Sequence, residues 1–414
     1  MTTTLDLRDA AVAMTALCGS EHLRLAGGAI HVAPAHTEQV AAVLRFASLN
    51  GLAVSARGAG TKQDWGNPSP SPIVLETHRL NAVLDHPWQD MTATVQAGCT
   101  WAAMQTALAV HGQFVALDPL WPSRATVGGI AGVNDSGRLR LKYGSLRDLI
   151  LGMTIVLADG TIARTGGKVV KNVAGYDLHK LMTGAFGTLG IVTEVTFRLH
   201  SIPRHTETHT IASAHAEPLG RLLLRVRDSH LCAEAMQLRS TPAGFHLDIE
   251  LASLPDVLKD QATALAALAA EQQLSISPPQ PSVWSARESL FESLPDSLPD
   301  SLSNQTSAFV LKATMLPTAI AQFSTAVRAL GGTSVTQAVG IMTAALPADA
   351  AAQLPALRQQ FEAAHGSLTL LRQPPNSALD PWGHPPDSLP LMRQIKQRFD
   401  PNRILNPGRF LGGI

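Results

Sequence analysis

Apolar and polar positions recur along this chain with two periods, and the switches between them mark its elements. Residues 9–17 carry a helical spacing, and residues 30–33 form a short apolar run. Residues 38–50 place Val40, Val43, Leu44 and Ala47 on one face of a helix that Thr37 is expected to cap. Gly51 ends it, and residues 52–56 read as a buried strand running straight into Arg57-Gly58-Ala59-Gly60-Thr61. Strand signals return at 73–75 and 92–95, followed by a helix at 100–110. A glycine-rich stretch then covers 117–144. Residues 149–158 read as a strand closed by an Asp159-Gly160 turn of the hairpin kind. Residues 177–182 are expected to be helical and the alternating run 191–199 to be a strand.

The texture changes at residue 206. From there to 375 alanine and leucine dominate and glycine motifs vanish, which predicts a separate α+β domain. Two Ser-Leu-Pro-Asp units at 293–300 read as a surface insertion, because each proline opposes a continuous helix. The tail holds a helix near 389–398 and turn-rich residues 399–408. The expected division is therefore 1–205, 206–375 and 376–414.

Composition narrows the function classes. Of 414 residues 45% are hydrophobic and 15% charged, enough core for two or three domains of roughly 100–200 residues each. Lys+Arg and Asp+Glu both number 32, so the basic surplus of a nucleic-acid binder is missing. Cys18, Cys99 and Cys232 lie far apart with no Cys-x-x-Cys, which excludes a disulfide framework and argues against a zinc ribbon or a cysteine-held iron–sulfur cluster. The first residues lack the pattern of a secretory signal, and no run of about 18 apolar residues occurs. The expected setting is cytoplasmic, or peripheral to the inner membrane through partners only.

The glycines carry the candidate chemistry. Arg57-Gly-Ala-Gly-Thr-Lys62 follows a strand, but Gln63 stands where a dinucleotide fingerprint needs its third glycine. Gly167-Lys168 is followed by Val169 and fails as a Walker loop. What remains is either a backbone anion nest, to which Arg57 and Lys62 add charge or from which they face water, or a plain surface turn. The second segment, residues 125–137, combines four glycines with Thr126, Asn134 and Ser136. It reads as a loop wrapped over a flat polar ligand, entered through a rigid corner at Asp118-Pro119. Lys142-Tyr143-Gly144 ends the run, and ordinary packing suits Tyr143 equally. The third segment pairs residues 168–177, with Lys168 and Lys171, and the glycine run 184–190. Three loops converging on one extended ligand form the simplest joint account.

These residues resemble a known group. Arg-Gly-Ala-Gly-Thr (57–61), Thr-Val-Gly-Gly (126–129), Tyr143-Gly144 and Gly-Ala-Phe-Gly-Thr-Leu-Gly (184–190) are similar to the FAD domain of the vanillyl-alcohol oxidase / p-cresol methylhydroxylase (PCMH-type) flavoproteins. Residues 166–178 resemble the FAD-binding E subunits of bacterial glycolate oxidases, and residues 399–409 match the superfamily's closing motif. The resemblance implies a two-lobed FAD-binding α+β domain, a separate α+β cap domain, and a tail returning to the FAD side. It implies a diphosphate held by Arg57, Gly58, Ala59, Gly60, Thr61 and Lys62, with Asp118 counted among the cofactor residues. Thr126, Val127, Gly128, Gly129, Asn134 and Gly137 would line diphosphate and flavin. Gly190, Ile191 and Val192 would hold the adenine end, and Asn406 would lie near the flavin.

Two departures shape the expectation. Many relatives attach flavin to a histidine where this chain has Thr61, so FAD is expected to be non-covalent. The Gly-His-x-Gly-Asp-Gly-Asn-x-His metal motif of catalytic relatives is absent from the sequence, and no metal site or catalytic residue is assigned. His200, His205, His209 and His215 lack a carboxylate pattern and read as strand and linker residues. Cys99 reads as a buried small side chain, and Arg372 and His384 are weak substrate-side candidates against a surface role.

The function implied is an FAD-dependent oxidoreductase subunit acting on glycolate or a close 2-hydroxy acid, with glyoxylate as product. Electrons would leave through an iron–sulfur partner, in a complex with a second flavin subunit. The alternatives are an FAD-binding relay or assembly subunit that never meets substrate, and a self-sufficient flavin dehydrogenase for another 2-hydroxy acid.

Overall fold

The computed structural model describes residues 6–167, 176–277, 283–292, 308–375 and 377–414. These fall into two compact units. The first takes the residues up to 136, 145–202 and 384–414; the second takes 137–144 and 203–383. The Ser-Leu-Pro-Asp units and the lysines at 168 and 171 lie outside the described residues.

The first unit has two larger sheets among the described residues, beside a short pairing of His200–Ser201 with Gln113–Phe114. One runs in the order Leu23–Ala26, Ala29–Val32, Ile73–Glu76, Val54–Arg57, its first pair antiparallel and the others parallel. The parallel strands are apolar because helices cover them. Leu7–Cys18 and Thr37–Leu49 contribute Met14, Val40 and Leu44 to a core shared with Val54, Ile73 and Leu75. Leu405 joins this core, and Val54 bridges to it in parallel, so the chain's tail extends the sheet. The second sheet is antiparallel, in the order Val83–Asp85, Thr92–Gln96, Ile191–Arg198, Ile150–Val156, Ile162–Gly166. Its last pair is joined through the expected Asp159-Gly160 turn, where Gly160 adopts φ +84°.

Two local expectations are corrected. Thr37 is the first helical residue, not the cap; His36 holds that position without a side-chain bond. The Thr37 hydroxyl instead donates to Thr193 Oγ1, so a tertiary partner took the group that local pattern assigned to capping. Residues inside the expected loop 125–137 form a helix, Val127–Val133. Thr126 Oγ1 caps it by accepting from the Gly129 N–H, and Asn134 in the left-handed region ends it. Glycine lowers helix propensity, but a Cβ at Gly128 would sit 2.8 Å from that of Ala97. Close packing on the end of a strand outweighs propensity here.

The second unit is built on an antiparallel sheet of eight strands among the described residues. Their order is Ile276–Ser277, Thr206–Ser213, Gly244–Ala252, Ala233–Thr241, Thr333–Gln337, Ile341–Pro347, Ala308–Thr314, Ser367–Arg372. Helices Ala216–Arg227, Pro255–Glu271, Ile320–Ala329 and Leu354–Ala363 bury Leu219, Leu223, Leu265, Phe323 and Phe361 against it. Phe323 and Phe361 stack at 3.9 Å. Residues 137–144, expected in the first domain, belong to this unit for a polar reason. The Lys142 ammonium and the Tyr143 hydroxyl both bond the buried Glu234 carboxylate, and Arg138 lies 3.5 Å from Glu250.

Candidate functional site

The site grows from the strand Val54–Arg57. Beyond Arg57 the backbone turns through Gly58 to Gln63, with Gly60 at φ +77° and the Arg57 guanidine folded beside it. This turn, the start of the helix Val127–Val133, the run from Phe186 to Val192 and the tail residues Asn406 and Arg409 surround a cleft. All its lining residues belong to the first unit.

Of the residues singled out in the sequence, Arg57, Gly58, Ala59, Gly60, Thr61 and Lys62 line the cleft. So do Thr126, Gly128, Gly129, Gly190, Ile191, Val192 and Asn406. Four do not. Val127 is fully buried and donates its N–H to Cys99 O, and Asn134 terminates the helix. Asp118 stands off the lining, and Gly137 belongs to the second unit. The cleft also takes in Thr77, Ala97, Met182, Phe186 and Arg409, which sequence reasoning did not assign. Of these, Arg409 and Phe186 had a signal, as the last residue of the closing motif and as part of the 184–190 glycine run.

The charges differ from expectation. Lys62 neither faces water nor stands loose beside the turn: it is buried, with Nζ 3.5 Å from Asp135 and 5.1 Å from the Trp121 ring centroid. Asp135 also accepts from the Leu120 N–H, so a carboxylate far along the chain claimed this ammonium. Arg409 is buried as well. It donates to Lys62 O at 2.9 Å and Trp65 O at 3.4 Å, and its guanidinium lies 5.6 Å from the Phe186 ring centroid. Desolvation by burial pulls its pKa down to about 10, against a small opposing effect from Asp64, so it stays cationic at neutral pH.

Asn406 is held from several sides. Its backbone N–H donates to Val54 O, its φ is +40°, and its Nδ2 donates to Phe186 O and Gly187 O, both at 3.1 Å. Its Oδ1 is buried and accepts from no described group. A buried acceptor without a donor is costly, so this atom is complementary to a ligand N–H or O–H. The walls are equally specific. A Cβ at Gly58 would strike the Thr126 hydroxyl, and one at Gly187 would come within 2.6 Å of Asn406 Nδ2. Glycine amide edges, one cation at the rim and one orphaned acceptor fit an extended ligand with an anionic middle and hydrogen-bonding heterocycles.

The remaining candidates lie elsewhere. Arg372 belongs to the second unit, its guanidinium 5.1 Å from the Phe291 ring centroid, and His384 belongs to the first. Cys99 is buried, and burial pushes its thiol pKa up. Among the described residues no group of three or more His, Cys, Asp or Glu is placed to hold a metal, and no helix is long and apolar enough to cross a membrane.

The fold is of the PCMH type. Residues 29–166 match the FAD binding domain family, and residues 382–410 match the C-terminal domain of the FAD linked oxidases. Residues 29–166 thus form an FAD binding domain, and FAD is the chain's cofactor. Over 178 residues it is 39% identical to the glycolate oxidase subunit GlcD of Bacillus subtilis (strain 168), covering 43% of this chain and 38% of that one. Over 177 residues it is 37% identical to a D-lactate dehydrogenase of Archaeoglobus fulgidus, covering 42% and 40%. The chain thus spans about two fifths of the length of these relatives. The fold of p-cresol methylhydroxylase superposes with a TM-score of 0.73 at 16% identity, over 97% of this chain and 96% of that one.

Proposed function

We propose that this chain is the FAD-binding subunit of a complex that oxidises glycolate, or a close 2-hydroxy acid, to the 2-oxo acid. The observation that carries the reading is the cleft around Asn406, whose buried Oδ1 lacks a donor beside a glycine turn made for an anion. The substrate class rests on similarity to a glycolate oxidase subunit and a D-lactate dehydrogenase. When bound, FAD supplies the electron sink, taking two electrons from an alcohol carbon and releasing them onward.

The chain's own residues bind and orient. The backbone from Gly58 to Lys62 receives the diphosphate, with Arg57 at the rim. Gly190, Ile191 and Val192 meet the adenine end, and Thr126, Gly128 and Gly129 line the middle. Arg409 fixes the turn by holding the carbonyls of Lys62 and Trp65. Thr61 has no ring nitrogen to form a flavin link, so the cofactor is held without a covalent bond. Three scattered cysteines leave onward single-electron transfer to an iron–sulfur partner, with a second flavin subunit completing the complex.

A second reading follows from the missing histidine-rich metal motif: a subunit that binds FAD for relay or assembly and leaves the substrate to its partner. One titration separates the two. The visible spectrum of the purified chain is followed during anaerobic addition of glycolate. A flavin band that bleaches establishes a dehydrogenase; an unchanged band establishes the relay. Removal of the band by denaturation and filtration checks the non-covalent link. A chain that takes up no added FAD sinks both readings.

A further inference from the structure

Behind Asn406, away from the cleft lining, lies a buried ion pair. Lys396, on the helix Leu389–Phe399, donates to Asp400 Oδ2 at 2.6 Å, to Thr188 O at 2.7 Å and to Leu405 O at 2.9 Å. An ammonium has three N–H groups, and here each has an acceptor. Asp400 is fully buried; its Oδ1 accepts from the Ile404 N–H and its Oδ2 from the Leu405 N–H. Lys396 therefore ties two segments together, the run around Thr188 and the turn at Leu405. Those same two segments meet at Asn406, which follows Leu405 and bonds the carbonyls of Phe186 and Gly187. Neither Lys396 nor Asp400 lines the cleft.

A helix end and a turn need no ion pair to stay folded, and burying two charges is expensive unless the geometry is well satisfied. Asn406 gives this one a use. Its backbone is left-handed, a region asparagine tolerates but does not prefer, and its side chain must leave one oxygen unpaired. A residue held in this way stays put only if its surroundings over-determine it.

We infer that Lys396 and Asp400 are positioning residues for the cofactor, holding the Asn406 Oδ1 at the place where it accepts a hydrogen bond from bound FAD. The inference rests on the reading of the cleft as the FAD site. Its atoms are this chain's own, and no step of the oxidation passes through the pair.

The test is a double-mutant cycle on FAD affinity in the full-length chain. Apoprotein is titrated with FAD below its melting temperature, reading flavin fluorescence, for wild type, Asp400→Asn, Asn406→Ala and the double variant. We expect each single variant to raise Kd about tenfold, and the double variant to bind as weakly as Asn406→Ala alone. A purely structural pair would lower the melting temperature of the apoprotein yet leave the Kd of folded protein unchanged. That result, or fully additive effects, overturns the inference. If Asp400→Asn does not fold, Lys396→Arg takes its place in the same cycle, since it keeps the charge and displaces the donors. A wild-type chain that binds no FAD overturns the cofactor reading itself, and this inference with it.

Discussion

Both units close their buried carboxylates with cations, and the first also carries the glycine-lined cleft. In the second, the buried carboxylates are answered by cations of the same unit. Asp248 takes Arg239 at 2.5 and 3.0 Å together with Thr210 and Gln237, and Glu234 takes Lys142 and Tyr143. In the first unit Lys62–Asp135 and Lys396–Asp400 are closed in the same manner, but beside them the cleft leaves an acceptor open at Asn406. Side-chain pairs hold a scaffold, whereas a ligand site needs backbone edges and an unspent hydrogen bond.

The largest expected effect breaks the scaffold side alone. Arg239→Met removes one partner of a buried pair and should cost about 3–5 kcal/mol in urea denaturation. Folded protein should keep its full flavin content, because the cleft is lined by the other unit only. Loss of flavin from the folded variant would show that the cleft depends on the second unit. On the ligand side, Gly58→Val should reduce flavin per folded chain about tenfold, since the new side chain displaces the Thr126 hydroxyl from its capping bond. Absorbance of the gel-filtered protein measures it. Thr126→Ala is milder: losing the cap should cost about 1 kcal/mol of stability, seen as a small fall in Tm.

The smallest effect is a shared pH dependence. Burial lowers the pKa of His179 in the first unit and of His209 and His246 in the second. The unfolded chain then takes up these protons first as pH falls below about 6.5, so stability is full above that value and declines through the window beneath it. Urea midpoints at pH 7.5 and 5.5 should differ less in His179→Gln than in wild type. An unchanged difference would show that His179 does not titrate within this window.

Legibility in the sequence followed the range of the interaction concerned. Strands such as Ile191–Arg198 and helices such as Thr37–Leu49 were readable because an apolar period reports each element's own burial. The glycine turn after Val54–Arg57 was readable because a strand running into small residues has few local alternatives. The helix Val127–Val133 was not legible, since its glycines argue locally for a loop and the contact with Ala97 that requires Gly128 is tertiary. That residues 137–144 join the second unit was not legible, since nothing near Tyr143 in the chain announces Glu234.

The sequence by itself determined most of the elements, the glycine turn after Arg57 and the closing motif, and through the resemblance that they carry the class of cofactor. Tertiary structure alone decided that Lys62 would be spent on Asp135, that Arg409 would clamp the cradle, and that Asn406 would hold one oxygen open. The reason is physical. Backbone conformation is set largely by neighbours in the chain, whereas a side chain's hydrogen-bond partner is chosen in space, and Asn406 finds Phe186 across 220 positions.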